Sequence, residues 1–196
     1  PYRRQRQMCI RDRNKLILKY NFERFNIMEY DCGFVKESNW FRYRAGAIII
    51  EDGAVLFASN ERENYYYSIG GGVHMGESAE EAVKREVFEE TGVEYEVDSL
   101  VFIYENLFKG DGSLEGKNCH EICFYFLMKP RGTRNLNSNS YTSEVKEIMY
   151  WIPIEELSNY RAYPTFFREK LTNLKNEIEH IVTYESVSYT HLTLPT

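Results

Sequence analysis

The segment that most constrains this chain is a helix with both ends written into its residues. Ser78 followed by Glu81 forms a capping box, and Gly92 suits the left-handed turn that stops a helix. The pattern predicts a helix from Ala79 to about Glu90. With Glu86 set at zero and about 100° per residue, Ala79 falls near 20°, Ala82 near −40°, Val83 near 60° and Val87 near 100°. Glu89 and Glu90 fall near −60° and 40°, so all three glutamates are expected on the buried side. Glu80 with Lys84 and Glu81 with Arg85 form acid-to-base pairs on the other side, as a solvated face should.

Glu86, Glu89 and Glu90 repel one another, and they lie at the helix end where the dipole disfavours anions. Each penalty is only about a few tenths of a kcal/mol. Desolvation is the larger cost, and it calls for protonation or a cation. Oxygen donors at this density suit Mg2+, with Mn2+ as a substitute. A lone Glu-Glu pair would read as ordinary helix surface, but here glycines precede the helix.

Around the helix the pattern is mostly strand. Arg42 to Ile50 and Ala54 to Ala58 are β-branched-rich runs joined by Glu51-Asp52-Gly53, a hairpin signal. Tyr65 to Ile69, Val93 to Val97, Leu100 to Phe108, Glu121 to Met128 and Glu147 to Ile152 also read as strands. Lys109 to Asn118 and Pro130 to Ser143 read as loops. Phe167, Leu171, Leu174, Ile178 and Ile181 recur at three- and four-residue steps, which predicts a final amphipathic helix. The expected architecture is a single domain with a mixed sheet covered by helices on its faces.

The two ends read differently. Codons permitted for Val187 to Thr196, read in frame on the opposite strand, encode Arg3 to Asp12. Such an inverted repeat has no folding rationale and resembles translated sequencing-adaptor DNA, so residues 1–13 and 187–196 are set aside as artefactual. Residues 14–41 are taken as an amino-terminal extension with a possible first strand, the native start falling at Met28, and residues 42–186 as the domain. A basic nucleic-acid-binding arm at Arg3 to Arg13 is the rejected alternative. The chain has 24 basic and 30 acidic residues; leaving out five Arg and Asp12 gives 19 and 29, a net charge of −10. So acidic a domain would meet a polyanion through local basic groups or bound cations, and no nucleic-acid partner is expected.

Cys32, Cys119 and Cys123 then remain, an odd count that argues for reduced thiols in a cytoplasmic protein. Cys119, His120 and Cys123 are close enough in sequence to suggest zinc, but no second ligand pair accompanies them and strand packing is preferred. No run approaches the roughly 18 apolar residues of a membrane span.

Gly71, five residues, Glu77, seven residues, Arg85-Glu86-Val87, then Glu89-Glu90 and Gly92-Val93 match every fixed position of the Nudix signature. The chain resembles a Nudix hydrolase over roughly Arg42 to Leu157, and so many fixed residues across one segment make the match specific. The resemblance implies an α/β (α+β) fold, the Nudix-like α/β/α sandwich with a mixed β-sheet. It implies that Glu86, Glu89 and Glu90 hold Mg2+ or Mn2+ with the Gly70 carbonyl, and that Glu77 and Arg85 orient the carboxylates. Gly71, Gly72, His74 and Glu121 are the candidate substrate contacts, His74 standing where the family often has Glu. Ser68-Ile69-Gly70-Gly71 replaces the common Leu-Pro-Gly-Gly approach.

The reaction implied is hydrolysis of a diphosphate linkage in a nucleotide or other nucleoside-diphosphate-linked small molecule. Glu86, Glu121 and Glu147 are candidates for the general base, with Glu86 placed first. Tyr65, Tyr66, Tyr67 and Tyr163 are candidates to stack on a base. A Nudix-like sensor that binds a nucleotide without cleaving it is the competing reading, and a prenyl-diphosphate isomerase ranks third. A homodimer is left open.

Overall fold

The computed structural model describes residues 28–185 except 63, 111–113, 143 and 176. The two terminal segments set aside above, and residues 14–27, lie outside the described residues. The chain enters through β1 (Met28–Asp31) and β2 (Gly33–Lys36), then runs the length of β3 (Asn39–Ile48). β4 (Ile50–Glu51) and β5 (Ala54–Asn60) form the expected hairpin, with Asp52 at φ 48° and Gly53 at φ 75° in its two-residue turn. β6 (Tyr66–Ser68), β7 (Gly70–Gly72) and β8 (His74–Met75) are short and lead into α1 (Ala79–Thr91). Both arms of the Ser78–Glu81 capping box form, and Gly92 closes the helix at φ 69°.

β9 (Val97–Lys109) and β10 (Asn118–Met128) are long antiparallel partners, and β10 also pairs with β3 in parallel. β11 (Tyr141–Thr142) and β12 (Val145–Pro153) follow, then a 3-10 turn at Ile154–Asn159, β13 (Ala162–Tyr163), α2 (Phe167–Lys170), a second 3-10 turn at Leu171–Asn173 and β14 (Glu179–Glu185). One sheet runs β14-β9-β10-β3-β2, with β7 also on β3; the other runs β11-β12-β5-β6-β13, with β4 on β5. β1 pairs with β8 beside them.

Alternation along the strands builds a core on each face. Leu56 and Ala58 of β5 join Ala82, Val83 and Val87 of α1 on one side. Val55 and Phe57 meet Leu157, Phe167 and Leu171 on the other. The molecule is therefore the expected mixed-sheet α/β/α sandwich, with a full helix on one face and only short helical turns on the other. No described helix is long and apolar enough to cross a membrane.

Two elements depart from expectation. The predicted final helix stops at Asn173, and Leu174 is already extended at ψ 129°. Ile181, Val182, Thr183 and Tyr184 lie instead in β14, paired in parallel with Tyr104 to Leu107. Phe167 and Leu171 are buried as the helical spacing required, but Ile178 is exposed. A β-branched run beside the free edge of β9 overrides the helical period. Val93 to Glu96 form no ladder either, and pairing begins at Val97 against Met128.

The loop from Pro130 to Ser140 is fastened at both ends. Near β4, the buried Glu51 carboxylate accepts the Arg131 amide at 2.6 Å and the Gly132 amide at 2.9 Å. At the helix end, the Asn137 amide donates to Thr91 O at 2.9 Å and Ser138 Oγ to Glu90 O at 2.6 Å, supplying donors for carbonyls that α1 leaves open. Replacing Glu51 by Ala strands two amides, so Glu51→Ala should cost about 2–4 kcal/mol in urea unfolding. A loss below about 0.5 kcal/mol would mean water replaces the carboxylate.

Candidate active site

The ends of β3, β7 and α1 meet at one side of an open cleft of about 830 Å3, a size suited to a small-molecule ligand. Gly70, Gly71, Gly72, Glu86, Glu89 and Glu90 all line it. Why this stretch must be glycine is visible at Gly71, where a Cβ would fall 2.4 Å from the Glu86 carboxylate. The carboxylate fills the space that the missing side chain leaves. Gly72 makes the same room for Asp31 of β1.

Arg85 organises the acids. Its Nη2 donates to Glu77 Oε1 at 2.7 Å and to Gly72 O at 3.0 Å, and its Nη1 to Glu86 Oε1 at 2.6 Å and Glu89 Oε2 at 3.2 Å. Burial alone would raise Glu77, but Arg85 and the His74 amide, 2.7 Å from Oε1, hold it below the usual range. Glu86 goes the other way, because its desolvation outweighs Arg85.

Glu90 is the most isolated of the set. Oε1 accepts the Gly70 amide at 2.9 Å, while Oε2 is buried with no hydrogen-bond partner among the described residues. Burial pushes its pKa up to about 8 against the pull of that amide and of Arg44, with Glu147 and Glu86 adding to the rise. Glu89 breaks the expected pattern. Its side chain is 55 % exposed, so the helix buries two of the three glutamates and leaves the third at the rim.

Other predicted residues are spread around the cleft. Gly70 O is already engaged by Arg44 Nη2 at 2.8 Å, which leaves one lone pair. Glu121 of β10 faces the cleft, and so does Glu147. Glu147 is buried and fully engaged by hydroxyls, accepting from Tyr67 at 2.5 Å, Thr142 at 2.6 Å and Ser140. His74 is turned toward Asp31 and Glu77, at 3.6 and 3.8 Å, and its side chain is not part of the cleft wall. Tyr65, Tyr67 and Tyr163 line the cleft, whereas Tyr66 packs on Tyr150 and Tyr160. Cys119 and Cys123 are buried and form no disulfide; His120 points to the opposite face of β10, reaching Glu105 at 3.3 Å, so alternation separates the suggested zinc ligands.

Among the described residues no three His, Cys, Asp or Glu side chains already close around a common metal position. The fit to a cation rests on donor chemistry: a half-satisfied buried carboxylate, a second raised carboxylate and a rim carboxylate, all oxygen donors. Arg44 and Asp31 join the site without having been among the residues expected there. Arg42 and Arg44, two residues apart on an apolar strand, carried a legible signal of a shared charged face. Asp31, distant in sequence and brought in by the pairing of β1 with β8, carried none.

Comparison with known proteins agrees with this geometry. The NUDIX domain profile matches residues 40–174, and the chain belongs to the Nudix family of hydrolases. It is 32% identical over 119 residues to a MutT-like protein of Streptomyces ambofaciens, covering 60% of this chain and 67% of that one. It is 28% identical over 138 residues to an RNA pyrophosphohydrolase of Shewanella frigidimarina, covering 64% and 80%. The fold is shared with the MutT protein of Bacillus halodurans, at a TM-score of 0.58 and 19% identity over 74% of this chain and 91% of that one. The MutT protein of Methanosarcina mazei gives 0.52 and 19%, over 69% and 92%.

Because the Glu86 carboxylate occupies the space beside Gly71, stability and activity should separate in a variant there. Gly71→Ala displaces the far end of a flexible side chain, so Tm should fall by no more than about 2 °C. Turnover should fall by about 10²-fold, because the Glu86 carboxylate is forced from its place. Equal losses in both would contradict the assignment of that space to Glu86.

Proposed function

We propose that the chain is a divalent-cation-dependent pyrophosphohydrolase that cleaves a diphosphate linkage in a nucleoside-diphosphate-linked small molecule. The observation that carries this reading is the buried, unpartnered Glu90 Oε2 beside the raised Glu86 carboxylate in an open cleft. Glu86 and Glu90 would hold Mg2+, or Mn2+ in its place, with Glu89 from the rim and the free lone pair of Gly70 O. When bound, the cation neutralises the diphosphate, polarises the attacked phosphoryl oxygen and acidifies the water that attacks it.

The chain's own residues then supply position and a proton acceptor. Water adds to one phosphorus, the anhydride P–O bond breaks, and the departing phosphate carries away the electron pair. Glu86 is the first choice to take the water's proton, because Arg85 orients it while desolvation raises its basicity. Glu147 suits that role poorly, since three hydroxyls already donate to it. Arg85 and Glu77 act as positioning residues, and Arg44 fixes the Gly70 peptide. Cys32, Cys119 and Cys123, which form no disulfide among the described residues, fit a reducing, cytoplasmic setting.

Glu90→Gln separates catalysis from a sensor that only binds. Mg2+-stimulated phosphate or nucleotide release from a panel of diphosphate compounds should fall by at least about 10²-fold in the variant. Binding without turnover by the unmutated protein would favour the sensor.

The same variant gives a pH signature in metal-free buffer. A carboxyl raised to about 8 in the folded state binds its proton more tightly than in the unfolded chain. Stability therefore declines as pH rises from the ordinary carboxylate range through about 8. Tm of the unmutated protein in EDTA should drop over that window, Glu90→Gln should flatten the drop, and Mg2+ should restore only the unmutated protein. A Tm indifferent to Mg2+ at pH 8 would count against cation binding there.

A further inference from the structure

Beyond the glutamate helix, the cleft has a polar row laid across three strands. In the pairing register Arg42 of β3 stands opposite Glu121 of β10, and Glu121 opposite Asn106 of β9. All three line the cleft. Among the described residues the Glu121 carboxylate makes no hydrogen bond or ion pair. Arg42 Nε is buried without a hydrogen bond, its nearest acid being Asp31 at 3.7 Å.

Asn106 is held from behind. Thr183 Oγ1 of β14 donates to Asn106 Oδ1 at 2.9 Å, and Tyr104 Oη lies 2.8 Å from the same Thr183 oxygen. With Thr183's proton committed to Asn106, Tyr104 must be the donor in the second bond. The relay pins the Asn106 carbonyl and leaves its NH2, which donates no hydrogen bond among the described residues, for the cleft. β14 lies beyond the residues 40–174 that match the family profile.

The row also sits at a telling distance. Arg44, which holds Gly70 O beside Glu90, is two residues further along β3, about 6.6 Å away. One step in the other direction, Trp40 and Phe108 meet edge to face at 6.3 Å. Phosphate chemistry therefore gives way to a cation, an acceptor and an amide, and then to aromatic rings.

We propose that Glu121 and Asn106 read the ribose of the substrate, Glu121 accepting from the 2′,3′-diol and Asn106 donating to it, so that ribonucleosides are selected over 2′-deoxyribonucleosides. This rests on the pyrophosphohydrolase reading of the neighbouring glutamates. Glu121 lies on β10, apart from the glutamates of α1, and a carboxylate there accepts O–H or N–H donors from a ligand, which a phosphate does not have to give. Sugar hydroxyls both donate and accept, which matches a carboxylate paired with an amide. A substrate lacking the 2′-hydroxyl leaves these half-buried polar groups unpaired, a loss on the order of 10- to 10²-fold in kcat/KM.

The test compares kcat/KM with Mg2+ for ATP against dATP, GTP against dGTP, and ADP-ribose against its 2′-deoxy counterpart. The unmutated protein should favour the ribose member of each hydrolysed pair by at least about tenfold. Glu121→Ala should bring the ratio to about one by lowering the ribose member far more than the deoxy member. Thr183→Val, a change at the back of the row, should lower the ratio in the same direction by a smaller factor. A ratio near one in the unmutated protein overturns the proposal. So does equal loss on both members in a folded Glu121→Ala, which would place Glu121 in the chemistry instead. If nothing is hydrolysed the pyrophosphohydrolase reading falls, and equal thermal stabilisation by the ribose and deoxy members would then overturn the ribose reading separately.

Discussion

Glu90 enters the interior with one oxygen on the Gly70 amide and the other without a hydrogen bond among the described residues, and the surrounding groups are disposed about that half-satisfied carboxyl. Arg44 fixes the Gly70 peptide from the sheet side, while Arg85 gathers Glu77, Glu86 and Glu89 from the helix side. Neither guanidinium hydrogen-bonds Glu90 among the described residues. The loop at Asn137 and Ser138 caps the helix that carries it, which keeps the end of α1 from fraying although no basic side chain lies in its last turn.

Local signals carried most of the helix and its approach. The capping box, the αL glycine and the apolar stripe each depend on neighbours within a few residues, and all three appear as read. Glu89 is the exception, because an azimuth of about −60° lies at the edge of the stripe and only the packed structure decides which side of the edge is wet. The final helix failed for a different reason. Phe167 and Leu171 do face the core, but the later apolar residues serve a β-edge whose partner is some 75 residues earlier in sequence, as with His180 and Glu105. Pairings of that range leave no periodicity to read.

The same distinction separates legible site residues from hidden ones. Glu77, Arg85, Glu86, Glu89 and Glu90 lie in one segment with fixed spacing. Asp31 over Gly72, Thr183 behind Asn106 and the Tyr67 hydroxyl on Glu147 come from distant parts of the chain, and each becomes apparent only through strand register. The family profile covers the glutamate helix but neither β1 nor β14, and these two flanking strands bring Asp31 and Thr183 to the cleft.

The central claim is that the unpartnered Glu90 oxygen is a cation ligand. Anomalous diffraction from crystals grown with Mn2+ tests it most directly. The account predicts a Mn2+ peak within coordination distance of Glu90 Oε2 and shared with Glu86. A peak held only by exposed carboxylates, with Glu90 Oε2 hydrogen-bonded to another protein group, would contradict it.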